Sequence, residues 1–242
     1  MNNPDYLNSL NPNDLLFLTK ISEQSDRYND MLTFIKAYIR KTSHDLSKEE
    51  QMLFSGAFYY ISNLHKHSIR VLKFQEIKEE QQNNISKKIL SEKYREKIEI
   101  EFLSLCKDLL IILEENLLPR ATNSESRGFY LNLRGIYYSK MFDSTTYSKN
   151  AIEKINVERV FNEDWDKIKN DLSPAHPLRL GYAVKIMEFY FEIMLNTKKS
   201  CEIAKNAADE AICDIENLSQ ENRRDSEIII KLLKENIELM LS

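Results

Sequence analysis

The side chains that could carry out chemistry in this sequence are few, and their spacing argues against most chemistries. There are four histidines: His44, His65, His67 and His176. A di-iron centre in a helical bundle needs a glutamate three residues before its histidine, on the same helix face. Those positions hold Lys41, Ser62, Leu64 and Ser173. His65 and His67, two residues apart on a helix, point to different faces. The sequence offers no serine–histidine–aspartate arrangement, no glycine-rich phosphate loop and no HExxH string. Cys106, Cys201 and Cys213 form an odd, widely spaced set, the pattern of buried free thiols in a reducing compartment. No metal, no cofactor and no catalytic group is expected, and the chain does not read as an enzyme.

The elements that carry these residues follow from composition. Only 4 glycines and 5 prolines occur in 242 residues, too few for the tight turns of a β-rich fold of this size. Long helices result. With 30% charged and 42% hydrophobic residues, the chain can build a sizeable core under a solvated surface. A net charge of −4 without a dense Lys/Arg cluster makes nucleic acid a poor partner. The opening residues Met1 to Asp5 lack the basic flank and apolar run of a signal peptide. No apolar run approaches the roughly 20 residues that span a bilayer, so no membrane role is expected and the cytoplasm is the default location. The richest apolar window, Leu109 to Leu113, reads as a buried helix segment.

Apolar residues recur at steps of three and four almost throughout. Leu15, Leu16 and Leu18 open the pattern, and Tyr28 to Ile39 continue it. Ser47 and Glu50 form a capping box that starts a helix reaching about Gln81. The next helix is predicted from about Ser86 to Leu118, stopping before Pro119. Thr122 and Glu125 suggest a second capping box, opening a helix to about Phe142. Asp143 to Asn170 is polar and irregular and holds the only tryptophan, Trp165. Ser173-Pro174 reads as a helix start, with serine as N-cap and proline in the first turn. The last two helices read as about Lys198 to Ile215 and Glu221 to Leu241. Neither a flexible linker nor a 34-residue repeat period is present.

Several strings, taken together, resemble one family. They are Tyr94-Arg95-Glu96-Lys97-Ile98-Glu99-Ile100-Glu101, then Ser173-Pro174-Ala175-His176-Pro177-Leu178-Arg179-Leu180-Gly181, then Phe189-Tyr190-Phe191-Glu192-Ile193. Ala207-Ala208-Asp209-Glu210-Ala211-Ile212 follows, and Asp225 to Leu233 leads on to Asn236 and Leu239. In this collinear order the chain resembles a 14-3-3 protein over nearly its whole length. The resemblance implies an all-α single domain over 1–242 with about nine antiparallel helices. It implies a dimerisation part over about 1–118 and, over about 47–242, a groove that clamps extended phosphoserine or phosphothreonine segments.

The resemblance also assigns residues. Arg27 would face Glu101, and Asp30 would face Lys97, across a two-fold axis, with Ile21 and Tyr94 at the apolar centre. Both pairs have opposite sign, and an isologous interface makes each twice. In the groove this sequence departs from the family. Where the family grips phosphate with Lys and Arg on one helix and an Arg-Tyr pair on another, this chain has Tyr59, Lys66, Ser139 and Lys140. The asparagine that holds the peptide backbone is Lys185, and an apolar position one turn on is Glu188. Asn236, Leu232, Leu239 and Glu192 are kept, and Val184 replaces a leucine.

Arginine binds phosphate through a planar two-pronged fork, whereas lysine is a compact, strongly hydrated point charge. Losing the fork predicts weaker phosphate binding unless Lys66, Lys140 and Lys185 rebuild a basic pocket. Two readings follow. One is a dimeric adaptor for phosphorylated or acidic segments of partner proteins. The other is a scaffold of the same fold that binds partners independently of phosphorylation or heterodimerises with a paralogue.

Overall fold

The computed structural model describes residues 4–142, 144 and 150–241. The prediction for the first three residues lies outside the described residues, as do positions 143 and 145–149 of the stretch read as irregular. Among the described residues there are ten α-helices and no strand. They fall into two compact units, Met1–Arg120 and Ala121–Ser242.

The first unit holds α1 (Pro4–Ser9), α2 (Pro12–Gln24), α3 (Tyr28–Lys41), α4 (Lys48–Gln81) and α5 (Ile85–Ile112). The opening segment splits at Pro12 because Asn11 caps α2, its side chain accepting from the Asp14 N–H, and the proline at the first helical position needs no donor. The capping box at Ser47 forms as predicted. The Glu50 N–H donates to the Ser47 hydroxyl, and the Ser47 N–H donates to the Glu50 carboxylate. α4 ends where Asn83 takes φ 58°, a left-handed conformation that asparagine tolerates. Met31, Ile35, Phe54, Phe58, Phe102 and Leu109 fill the core of this unit, each 0% exposed.

The α-helical geometry of α5 stops six residues earlier than predicted. Leu113–Leu117 is a π turn and Leu118–Arg120 a 3-10 turn. The chain has therefore left α geometry before Pro119, whose missing N–H would have interrupted an α-helix at that point.

The second unit holds α6 (Ser124–Met141), α7 (Ala151–Asp171), α8 (Pro177–Glu188), α9 (Thr197–Asp214) and α10 (Gln220–Leu241). Three predictions are corrected here. Asn123, not Thr122, caps α6, its side chain accepting from the Ser126 N–H. Most of the stretch read as irregular is α7, capped by Asn150. Its apolar residues are sparse but periodic: Val157, Phe161 and Ile168 are buried, and Trp165 packs against the core. Finally, α8 begins at Pro177 behind the N-cap His176, not at Pro174. Had Ser173 been the cap, Pro177 would stand at the fourth helical position, the first whose N–H must bond back to the cap.

The core of this unit has a small-residue seam. Ala204, Ala207, Ala208 and Ala211 of α9 are buried against α8 and α10. Of the three thiols read as buried only Cys106 is, while Cys201 is half-buried and Cys213 exposed. Their positions on α9 put them off the alanine seam.

Candidate functional site

In the second unit, α8 does not end at Glu188. It runs into a π turn, Phe189–Ile193, closed by the Met194 N–H donating to the Phe189 carbonyl at 3.1 Å. The chain then reverses through Leu195 at φ 53°, with the Asn196 N–H on the Tyr190 carbonyl at 2.8 Å. A π turn inserts one residue into the helical register and so re-aims the side chains beyond it. Here it brings Phe191 and Glu192 alongside Glu188 and opposite α10. These residues, with Met187, Asn236, Leu239 and Met240, line an open pocket of ≈ 190 Å³.

The charges at this face are arranged by local spacing. Lys185 Nζ lies 2.7 Å from Glu188 Oε2, one helical turn along α8. Lys185 is one of the three lysines that could rebuild a basic pocket; its ammonium is engaged by the other divergent residue. The spacing of three was visible in the sequence and was the signal for it. Asn236 Nδ2 donates to the Leu232 carbonyl at 2.9 Å, within its own helix. Leu232 and Leu239 project into solvent at 42% and 74% exposure, whereas Val184 is a core residue at 4%.

On α6, Lys140 Nζ sits 4.9 Å above the Tyr137 ring. The neighbouring Ser139 hydroxyl is buried, with no hydrogen-bond partner among the described residues. Neither residue lines the pocket. Behind them a buried ion pair joins α6 to α7: Arg134 Nε donates to Asp164 Oδ2 at 2.9 Å, and its Nη2 meets the other carboxylate oxygen. Burial pushes the Asp164 carboxyl above its ordinary value, and the Arg134 guanidinium pulls it back only in part. Trp165 is enclosed by the same region, stacked on Tyr182 at 6.3 Å with the Arg179 guanidinium 5.8 Å from its ring. Sequence reasoning missed the Arg134–Asp164 pair, since thirty residues separate its members and no local pattern marks it.

In the first unit, Tyr59 is exposed and lies edge-on to Tyr60, which stacks on Tyr28 at 4.0 Å. Lys66 is half-buried on α4. The residues assigned to a dimer interface are accessible, and their charges pair along their own helices. Arg27 Nε is 2.5 Å from Asp30 Oδ2, and Lys97 Nζ is 3.9 Å from Glu101 Oε1. Ile21 and Tyr94 are 38% and 55% exposed.

The family model described as "14-3-3 protein" matches residues 18–240. The chain belongs to the 14-3-3 family. It is 35% identical over 233 residues to 14-3-3 protein beta/alpha-1 of Oncorhynchus mykiss, covering 96% of this chain and 94% of that one. It is 34% identical over 234 residues to 14-3-3 protein beta/alpha of Homo sapiens, covering 97% and 94%. The Gallus gallus beta/alpha protein is 34% identical over 233 residues, covering 96% and 94%. Membership in the 14-3-3 family supports an adaptor that binds partner proteins, and the all-α fold agrees with it.

Among the described residues no group of three His, Cys, Asp or Glu side chains is placed to hold a metal ion. None of the helices among them is long and apolar enough to cross a membrane. Of the residues matched to the family's groove, the structure gathers Glu192, Asn236 and Leu239 around one pocket and sets Lys185 beside it on Glu188. It brings neither Ser139 nor Lys140 there.

Proposed function

We propose that this 14-3-3 protein is a dimeric adaptor whose second unit holds extended segments of partner proteins with weakened dependence on phosphate. The observation that carries this reading is the Lys185–Glu188 ion pair at 2.7 Å. An ammonium already on a carboxylate must give up that contact to meet a phosphate. Ser139 supplies no charge at all, and Lys140 offers a point charge where a fork would grip two oxygens. A charge-assisted hydrogen bond contributes roughly 1.5–3 kcal/mol, so an arginine-poor site loses about 10- to 150-fold in phosphopeptide affinity for each such bond. The kept Asn236, Glu192, Leu232 and Leu239 leave the means to hold a peptide backbone and its apolar side chains.

The same ion pair favours a second reading, in which partners are bound independently of phosphorylation. Calorimetric titration of one phosphoserine peptide and its unphosphorylated twin separates the two. Weak binding, at tens of micromolar, with a several-fold preference for the phosphorylated form supports weakened recognition. Equal affinity supports independence, and sub-micromolar phosphopeptide binding overturns both.

For the dimer, the support is the accessible Ile21 and Tyr94 beside four charges of complementary sign. Arg27 and Asp30 would exchange their intrahelical contacts for Glu101 and Lys97 of a second copy, or of a paralogue in a heterodimer. The three cysteines are free thiols, which fits the cytoplasmic setting the sequence suggests.

A further inference from the structure

We propose that α7, which contributes no residue to the pocket, sets the shape of its rim, and that Tyr190 is the positioning residue through which it does so. This rests on the reading that the α8–α10 face holds partner segments. α7 meets the π turn along one stripe. Lys154, Glu158, Phe161 and Asn162, at spacings of four, seven and eight, share one helix face. Phe161 stacks on Phe189, the first residue of the turn, with ring centroids 4.7 Å apart. Glu158 and Asn162 meet Tyr190, the second. The Lys154 ammonium donates to the carbonyl of Ile193, the last, at 3.3 Å. The intervening residues, Phe191 and Glu192, line the pocket instead. The turn therefore has two faces, one gripped by α7 and one offered to a partner segment.

The Tyr190 hydroxyl is the centre of this grip. It donates to Glu158 Oε1 at 2.9 Å and accepts from Asn162 Nδ2 at 3.0 Å and from Lys199 Nζ at 2.5 Å. Its one donor and its acceptor capacity are both used. Lys199 belongs to α9, so a single phenol, 1% exposed, ties the turn to two helices at once. Burial pushes the hydroxyl above its ordinary range, so the hydrogen that Glu158 accepts stays in place.

A grip is needed because the turn competes with ordinary helix. π geometry is rare and holds one residue more than the α register allows. Relaxation to the α register would swing Phe191 and Glu192 by about 100° around the helix axis and take them off the rim. Contacts at Phe189, Tyr190 and Ile193 fix the register at both ends of the turn, which preorganises the rim before a segment arrives.

Two variants of the full chain loosen the grip without touching the pocket. Tyr190→Phe deletes the hydroxyl and keeps the ring; water reaches the groups it releases, the Glu158 and Lys199 side chains being 30% and 40% exposed. Lys154→Met deletes the ammonium and keeps an apolar stem. Arg159→Met, on the same helix but paired in solvent with Glu163, is the control. Hydrogen exchange reads the Met194 and Asn196 amides, which close the turn, against the amides of α10. Fluorescence polarisation reads a fluorescein-labelled peptide with a central phosphoserine, and its serine twin. Tyr190→Phe should speed the two amides at least roughly tenfold relative to α10 and weaken whichever peptide binds by about tenfold. Lys154→Met should do both by about threefold, and Arg159→Met should do neither. A merely structural role would speed the α10 amides equally, and that result overturns the proposal. A change in only one of the two readings, or in neither, overturns it too. Should Tyr190→Phe fail to fold, Lys154→Met decides by the same readings. If the wild-type chain binds neither peptide, the reading of the α8–α10 face falls and the proposal with it; wild-type binding that the variants retain overturns the proposal alone.

Discussion

The two units differ in where their exposed apolar and charged side chains lie. In the first, the long helices α4 and α5 leave Leu64, Phe74, Ile77, Ile85 and Leu90 in water, all between 54% and 69% exposed. The charges assigned to its interface are matched within single helices, Arg27 with Asp30 and Lys97 with Glu101. In the second, a deep core consumes most apolar positions, and the α8–α10 face presents a mixture of carboxylates, one lysine and a few hydrophobic side chains. An apolar surface with self-neutralised charge is suited to broad protein contact, which gains from area. A face with fixed charges in a concavity discriminates by sign. The first unit therefore suits the proposed dimer and the second the proposed hold on partner segments.

The interiors differ as well, and the largest expected effect tests that difference. The Asp164 side chain is 0% exposed and that of its one guanidinium, Arg134, is 11% exposed. In the first unit Arg95 is shared by Glu76 at 2.6 Å and Glu99 at 2.8 Å, and its side chain keeps 12% exposure. Arg134→Met should destabilise the protein by about 3–5 kcal/mol in denaturant unfolding at neutral pH, because it leaves a buried carboxylate with only the half-exposed Lys167, 3.8 Å away, as a charge partner. Arg95→Met should cost less, about 1–3 kcal/mol, since water reaches Glu76, whose side chain keeps 14% exposure.

The pH dependence of Arg134→Met follows from its sign. The folded-state pKa of Asp164 is already raised by burial, and losing Arg134 raises it further. A carboxyl raised above its unfolded value binds more protons when folded, so the stability it contributes is present in acid and lost as pH rises through the folded value. The deficit of the variant should be smaller near pH 4 than at pH 7. Glu50 behaves oppositely: burial pushes its carboxyl up, but hydrogen bonds from Tyr38 and Ser47 hold it below its ordinary value. Its contribution is present above about pH 4.3 and is lost as pH falls further. Glu50→Gln should therefore flatten the acid limb of the wild-type stability curve.

Next in size is the proposed dimer. Reversing its charges with Arg27→Glu and Asp30→Arg keeps the intrahelical pair and inverts the face offered to a second copy. Light scattering at micromolar concentration should show monomers, a shift of roughly 100-fold or about 2.7 kcal/mol. An unchanged dimer would place the interface elsewhere on the exposed apolar surface.

A smaller effect sharpens the reading of the second unit. Ser139→Arg with Lys140→Tyr leaves net charge unchanged and restores one fork. Phosphopeptide affinity should rise at least roughly tenfold, about 1.4 kcal/mol, by calorimetry; no gain would mean that this end of α6 does not meet phosphate. The smallest concerns the turn behind the pocket, where Leu195 holds φ 53° and is 80% exposed. Leu195→Gly should stabilise by about 0.5–1 kcal/mol in thermal unfolding, because glycine adopts that conformation without the clash a Cβ brings.

Much of this architecture was legible in the sequence. Scarce glycine and proline and a three–four periodicity over most of the chain specify helices by local rules, and the Ser47–Glu50 box sits where those rules put it. The collinear strings were enough for the family. Errors arose where two local signals competed. Ser173-Pro174 has the form of a helix start, yet Pro177 lacks the donor that start requires; Thr122 is a fair cap, but Asn123 has the better acceptor one residue on. α7 was read as irregular because few of its residues are apolar, and only packing revealed that Val157, Phe161 and Ile168 suffice.

By itself the sequence determined which residue types stand at the groove and interface positions, since that depends only on matching collinear strings. It also determined that arginine is missing where a phosphate fork would be. Only the tertiary structure decided which distant groups meet. Arg134 meets Asp164 across thirty residues, and a π turn shifts Glu192 onto the rim of a pocket shared with α10. Contacts of this kind depend on rotamer, register and burial, which arise when helices pack and which no single helix encodes.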